Sequence, residues 1–216
     1  MAAGRSWRRA RHFGRRPRGG PAGGDATRPA SRQGGLTLVE LLVVVLIGAI
    51  LTMVAVPSYV ATTTSYRIMG EVNNLVGALQ YARSEAIKQG VTVTICTSNG
   101  GSTCSASTTS WAMGYVVLAN TANGNVLLRQ QPAFTGTDTA ADIETGAATS
   151  IVFSRDGFAG TSTGWNNFAS LTAPVLLAVF PTPANIARGQ CVAVTVIGQI
   201  SVLAKNATDS SGLACT

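Results

Sequence analysis

The stretch that most restricts this chain lies between Gly35 and Pro57. Of the 21 residues from 36 to 56, 17 are apolar, and ~20 apolar residues suffice to span a bilayer core as a helix. Glu40 breaks the pattern. A carboxylate inside such a run costs ~3 kcal/mol or more unless it finds a partner or reaches water. Composition alone leaves a plain signal anchor open, with Glu40 reaching the headgroups. A cleaved secretory signal fits less well: the run exceeds the ~7 to 15 apolar residues of such a signal, and Pro57 stands where a small-residue cleavage site would have to follow.

The residues before and after Glu40 are more specific. Gly35 followed by Leu36-Thr37-Leu38-Val39-Glu40-Leu41-Leu42 resembles the class III signal of type IV prepilins and pseudopilins, in which a glycine precedes Phe-Thr-Leu-Ile-Glu-Leu. The resemblance implies that a prepilin peptidase cuts between Gly35 and Leu36 and that the new amine of Leu36 is methylated. It puts Pro57 where the family has its helix-bending proline. In that family the glutamate pairs with the N-terminal amine of a neighbouring subunit, which would give Glu40 its partner and set subunit register. Leu36 replaces the usual Phe at a position that tolerates variation.

Residues 1 to 35 hold nine Arg and one Asp, a net of +8, while the other 181 hold seven Lys plus Arg against eight Asp plus Glu, a net of −1, which together make the +7 of the chain. The basic character therefore belongs to this leader, and the rest offers no basic field for phosphates. Rich in Gly, Pro and Arg and without Leu, Ile or Val, the leader is expected to be disordered. Its charge orients the run, keeping the N-terminus cytoplasmic and sending the remainder outward. It is longer than most prepilin leaders, and residues 2 to 35 contain no Met, Val or Leu to mark a later start. His12, the single histidine, lies here with no expected role.

Beyond Pro57, Ile68, Val72, Leu75, Val76, Leu79, Ala82 and Ala86 recur at helical spacing as far as Gly90, a helix-stop residue. The pattern predicts one helix over 36–89, ~80 Å long at the usual rise, bending at Pro57, its last turn supported by Glu85 and Lys88. From Val91 the period falls to two. Strands are expected at 91–95, 111–118, 126–129, 150–154, 176–180, 191–197 and 200–203, with Asn123-Gly124 marking a hairpin and Arg155-Asp156-Gly157 a turn. Segments 97–110 and 132–149, rich in Ser, Thr, Gly and Ala, are expected to be surface loops. The fold class is α+β, one antiparallel sheet laid on the helix stripe. The expected divisions are the leader 1–35, a membrane and assembly helix 36–57, and a head 58–216 made of helix 58–89 and a β-rich part 91–216.

The junction Tyr81-Ala82-Arg83-Ser84-Glu85-Ala86-Ile87-Lys88-Gln89-Gly90, followed by Val91-Thr92-Val93-Thr94-Ile95-Cys96, resembles the helix-to-strand junction of the GspH/FimT family of minor pilins and pseudopilins. That resemblance implies the type IV pilin-like arrangement, half of the helix in membrane or filament and half against the head. It covers residues 34 to about 118, with weaker echoes at 151–157 and 192–203.

All four cysteines, Cys96, Cys104, Cys191 and Cys215, follow the membrane run. An even count in an exported head points to disulfides rather than metal, and no histidine is available there for a mixed zinc site. Of three possible pairings, Cys96 with Cys104 and Cys191 with Cys215 close short local loops and are favoured, but the sequence leaves the choice open. No metal or cofactor is expected. Gly160-Thr161-Ser162-Thr163-Gly164 matches a nucleophile elbow, which needs a strand before it, a helix after it and a histidine base. Here Trp165-Asn166-Asn167 continues as loop and no histidine follows His12, so the match is chance and no enzyme is expected. Nothing fixes Asp156 and Glu144 at a glycosidase separation, and Asn206-Ala207-Thr208 is a chance glycosylation pattern.

Some FimT-type relatives take up DNA through a Gly-Arg-x-Arg turn near the C-terminus. The aligned turn here is Gly198-Gln199-Ile200-Ser201, without either arginine and with only Lys205 nearby. Useful double-stranded DNA binding at moderate salt is therefore not expected; a micromolar, salt-sensitive Kd for the purified head would contradict this. The function expected is structural: a minor pilin or pseudopilin of a type IV pilus or a type II secretion system. Its partners would be the peptidase, other pilins along the helix and the inner membrane, with the head periplasmic and entering a filament. The alternative is a membrane-anchored binding head, for DNA or a surface ligand, that never enters a filament. The sequence does not choose between the two machines.

Overall fold

The computed structural model describes residues 35–105, 110–136, 138–143, 148–162, 168–181, 189–208, 212, 214 and 215. The leader through Gly34, His12, Glu144 and 163–167 lie outside the described residues. The chain divides into two units after Leu46. The described part of the first is the opening of helix α1 (Leu38–Gln89). The second, from Ile47, contains the rest of α1 and every strand.

Helix α1 is helical on both sides of Pro57, so the proline does not interrupt it. It contains a stretch long and apolar enough to cross a membrane by length and composition, none of which is buried in the chain. Further along, Ile68, Val72, Leu75, Leu79, Ala82 and Ala86 are buried, as the spacing requires, together with Ala78 and Glu71. Gly90 closes the helix in the left-handed region at φ 67°, its N–H donating to Ala86 O at 3.0 Å.

The strands form two antiparallel sheets rather than the one expected. The first holds β1 (Thr92–Thr97), β2 (Tyr115–Thr121), β3 (Gly124–Gln131), β5 (Ser150–Phe153), β6 (Ala159–Ser162) and β7 (Phe168–Ser170), in the order β3-β2-β1-β5-β6-β7. The second holds β4 (Thr139–Asp142), β8 (Val175–Phe180), β9 (Gln190–Val194) and β10 (Ile200–Ala204), in the order β10-β9-β8-β4. The Ala159 N–H of β6 donates to Val196 O, just beyond β9, at 3.0 Å. Strand alternation sends Val93, Ile95, Val117, Ile151 and Phe153 from the first sheet, and Leu177, Val179, Val192 and Val194 from the second, into one core with the helix stripe. The opposite faces carry smaller clusters: Cys96, Val116 and Leu118 on the first sheet, and Leu176, Ala178, Cys191, Ala193, Leu203 and Cys215 on the second.

Three strands escape the sequence pattern. Strand β4 lies inside the expected loop 132–149; its Thr-Ala-Ala-Asp sequence has low β propensity, yet Ala140 and Asp142 are buried on alternate positions. Strands β6 and β7 flank 163–167, and β6 contains Gly160-Thr161-Ser162, so that part of the elbow-like match is strand, not turn. Glycine is required there, because a Cβ at Gly160 would stand 2.3 Å from Ala169 O. Strand β2 starts later than expected: Trp111 to Met113 form a 3-10 turn, and Gly114 at φ 106° redirects the chain. The expected loop 97–110 also begins inside the fold, since Thr97 and Ser98 are buried.

Tyr115 is fully buried beside Trp111, and its hydroxyl has no hydrogen-bond partner among the described residues. Burial pushes its phenol up, with Arg129 opposing the shift and Glu71 adding to it. The unfolded chain therefore ionises this tyrosine first, so its contribution to stability is complete below about pH 10 and declines as pH rises beyond. Tyr115→Phe is expected to keep or raise stability at neutral pH, by up to ~1 kcal/mol, and to flatten the alkaline decline. Denaturant midpoints at about pH 7, 9 and 11 check both; a midpoint well below wild type at neutral pH would refute it.

Candidate functional site

The start of α1 is built by its own first turn. Thr37 precedes the helix, and its Oγ1 accepts the Glu40 N–H at 3.2 Å while its carbonyl accepts the Leu41 N–H at 3.2 Å. Thr37-Leu38-Val39-Glu40 is thus a capping sequence, with an acidic residue where the helix dipole favours one. Gly35 and Leu36 stand just outside it, both exposed. The Glu40 side chain is exposed, with no hydrogen bond or ion pair among the described residues. Beyond Pro57, the hydroxyls of Thr62, Thr63, Thr64 and Ser65 donate to carbonyls one turn back, including Ser58 O at 3.0 Å and Ala61 O at 3.1 Å. These bonds let a β-branched, hydroxyl-rich segment remain helical.

Polar side chains on the later turns hold the head. Arg67 makes a bidentate pair with Asp138, Nε to Oδ2 and Nη2 to Oδ1 both at 2.7 Å, and the Asp138 side chain is fully buried. That hydrogen bond holds the Arg67 guanidinium charged more firmly than usual. One turn on, Glu71 Oε1 accepts both the N–H and the hydroxyl of Thr135 at 3.1 Å. Near the helix end Glu85 accepts from Lys88 at 3.2 Å and from Gln89 at 2.5 Å, and these bonds, Gln89's first, keep its carboxyl below the usual range. Arg67 with Asp138 and Glu71 with Thr135 carry no motif; only folding shows that each pair meets.

The turn Gly198-Gln199, which lacks the arginines of the Gly-Arg-x-Arg pattern, is held from the helix. Arg83 reaches it from the helix, donating from Nε to Gly157 O at 3.1 Å and from Nη2 to Ile197 O at 3.2 Å. It thereby clamps a turn of each sheet. Gly198 sits at φ 73°, where a Cβ would stand 2.2 Å from Gly157 O and 3.1 Å from Arg83 Nε. Gln199 follows in the turn, while Ile200 and Ser201 already belong to β10. Lys205 lies over the Phe180 ring at 5.4 Å. Gly198→Ala should lower stability by about 2 to 3 kcal/mol through backbone strain and the clash. Thermal unfolding of the variant measures it, and an unchanged Tm would refute the clamp.

The disulfides are Cys96–Cys104 and Cys191–Cys215, with 8 and 24 residues of separation. Each joins a strand to the segment beyond it at a cluster facing away from the helix.

Residues 71–196 match the family described as type II transport protein GspH, and residues 30–56 match the prokaryotic N-terminal methylation motif. No curated protein matches. Among solved structures, the type IV minor pilin FimU of Pseudomonas aeruginosa superposes in one crystal form with TM-score 0.51 and 19% identity, over 72% of this chain and 99% of that one. A second form gives 0.48 at 19% identity, over 68% and 99%. The minor pseudopilin EpsH from the type 2 secretion system of Vibrio cholerae gives 0.46 at 14% identity, over 64% of this chain and 97% of that one.

Proposed function

Because the chain belongs to the GspH family of type II transport proteins, whose members are structural subunits and not enzymes, we propose that it is a minor pilin or pseudopilin built into an envelope filament. The observation that carries the reading is the methylation motif at 30–56, running into the same helix that packs under the GspH-matched head. In this reading the peptidase cuts between Gly35 and Leu36, Leu36 is methylated, and the arginine leader stays on the cytoplasmic side of the inner membrane with the head in the periplasm. The apolar part of α1 then packs with other subunits, and Glu40 guides docking. The commitment of Arg83 to two carbonyls supports a structural turn at Gly198 rather than a phosphate-binding one.

The test is an in-frame deletion with complementation, scoring surface pili and secreted proteins together with the N-terminal mass of the mature chain. Loss of pili identifies a minor pilin, and loss of secretion a pseudopilin. An uncut N-terminus, with both functions intact in the deletion, would overturn the reading.

A further inference from the structure

Three residues at the start of the described chain, Gly35, Leu36 and Thr37, precede the helix and are exposed. No backbone hydrogen bond to Gly35 O or Leu36 O occurs among the described residues, and a Cβ built at Gly35 would meet nothing within 4 Å. The first carbonyl in use is Thr37 O, which accepts the Leu41 N–H, while the Thr37 hydroxyl accepts the Glu40 N–H. The apolar run does not by itself fix this boundary. Leu36 is a good helix former and Gly35 an acceptable N-cap, so a helix begun two residues earlier would be capped by Gly35 and would commit Gly35 O to the Val39 N–H. Thr37 prevails because its side-chain oxygen also satisfies an N–H of the first turn, which glycine cannot do.

We infer that Thr37 is a positioning residue for the cleavage of this chain: by capping the helix at its own position, it leaves the Gly35–Leu36 bond in free, non-helical chain open to a peptidase. The inference rests on the reading above that this bond is cut. In that hydrolysis a water oxygen attacks the Gly35 carbonyl carbon, the C–N bond breaks, the leader ends in a carboxyl group and one proton of the water goes to the leaving Leu36 amine. The peptidase must hold the Gly35 oxygen as it gains charge. An oxygen already bonded to the Val39 N–H would point along the helix axis into the first turn, so each cleavage would have to unwind that turn first, and only the unwound fraction would bind productively. The Thr37 hydroxyl acts on the reaction through the helix boundary alone.

The test uses the full-length precursor in its own cells, following conversion of the membrane-inserted fraction by N-terminal mass in a pulse–chase. Thr37→Val keeps the branched shape and removes the hydroxyl; it should lengthen the half-time of cleavage about fivefold, the weight of one N-cap. Thr37→Ser restores the hydroxyl and should be cut at nearly the wild-type rate, with membrane insertion and the Tm of the head unchanged in both variants. If Thr37→Val is cut as fast as wild type, or Thr37→Ser is as slow as Thr37→Val, the positioning role is refuted and the filament reading stands. If the wild-type chain is not cut between Gly35 and Leu36, both fall.

Discussion

In the proposed reading, Glu40→Ala is expected to leave the protein inserted in the membrane and cut after Gly35, but nearly absent from filaments. The argument starts from the cap. Thr37 satisfies the Glu40 N–H through its own hydroxyl, so the backbone at the helix start does not depend on the Glu40 carboxylate. What alanine removes is an exposed negative charge without a partner among the described residues, close to the amine that cleavage would create at Leu36. In an apolar environment such a charge is tolerated when paired. A hydrogen bond between charged groups contributes about 1.5 to 3 kcal/mol, so losing one at each docking event should lower incorporation by tenfold or more. Glu40→Gln keeps shape and polarity but not charge and should fail nearly as completely, whereas Glu40→Asp should retain part of the activity. Membrane fractionation, the N-terminal mass and the amount of protein in sheared filaments separate the three steps. Incorporation of Glu40→Ala within about twofold of wild type would remove charge pairing from the mechanism.

The elements written clearly in the sequence are those whose periodicity coincides with burial. The stripe from Ile68 to Ala86 faces the core, and Val93 and Ile95 of β1 alternate into it as their spacing requires. Two sheets rather than one were not legible, because the division depends on which strands pair, and neighbours such as β4 and β8 are distant in sequence. Strand β4 itself is small and polar, held by pairing and by burial of Ala140 rather than by propensity. The clamps were hidden for the same reason. Arg83 lies within a family-like motif, but its targets, Gly157 and Ile197, are carbonyls that any residue could supply. At the N-terminal segment the opposite holds: Gly35, Leu36 and Glu40 are close in sequence, so the candidate was readable locally, although its partner belongs to another chain in the proposed reading.

Removing the disulfides should weaken the head unequally, and the order is informative. Chain-entropy arguments give a cross-link of 8-residue separation about 2.5 kcal/mol and one of 24 about 3.5 kcal/mol. Both losses also fall on packing. Cys96 lies against Val116 and Leu118, and Cys191 and Cys215 lie among Leu176, Ala178, Ala193 and Leu203. The second cluster is larger and holds the C-terminal segment, whose ladder includes Asn206 N–H to Cys215 O at 2.7 Å and Cys215 N–H to Ala207 O at 3.0 Å. Cys191→Ser with Cys215→Ser should therefore lower Tm more than Cys96→Ser with Cys104→Ser, by roughly 7 to 14 °C against 5 to 10 °C, at ~2 to 4 °C per kcal/mol for a domain of this size. Against a total stability of ~5 to 15 kcal/mol, losing both would leave the head marginal. Thermal melts of the two double variants and of the quadruple variant that combines them, with and without reductant, supply the check: reductant should bring wild type down to the level of the quadruple variant and leave that variant unmoved. If the short-loop pair proved the more costly to lose, loop entropy and the packing of the C-terminal segment could not be what these bonds chiefly provide, and the cover of the first sheet's outer face would have to be the more important of the two.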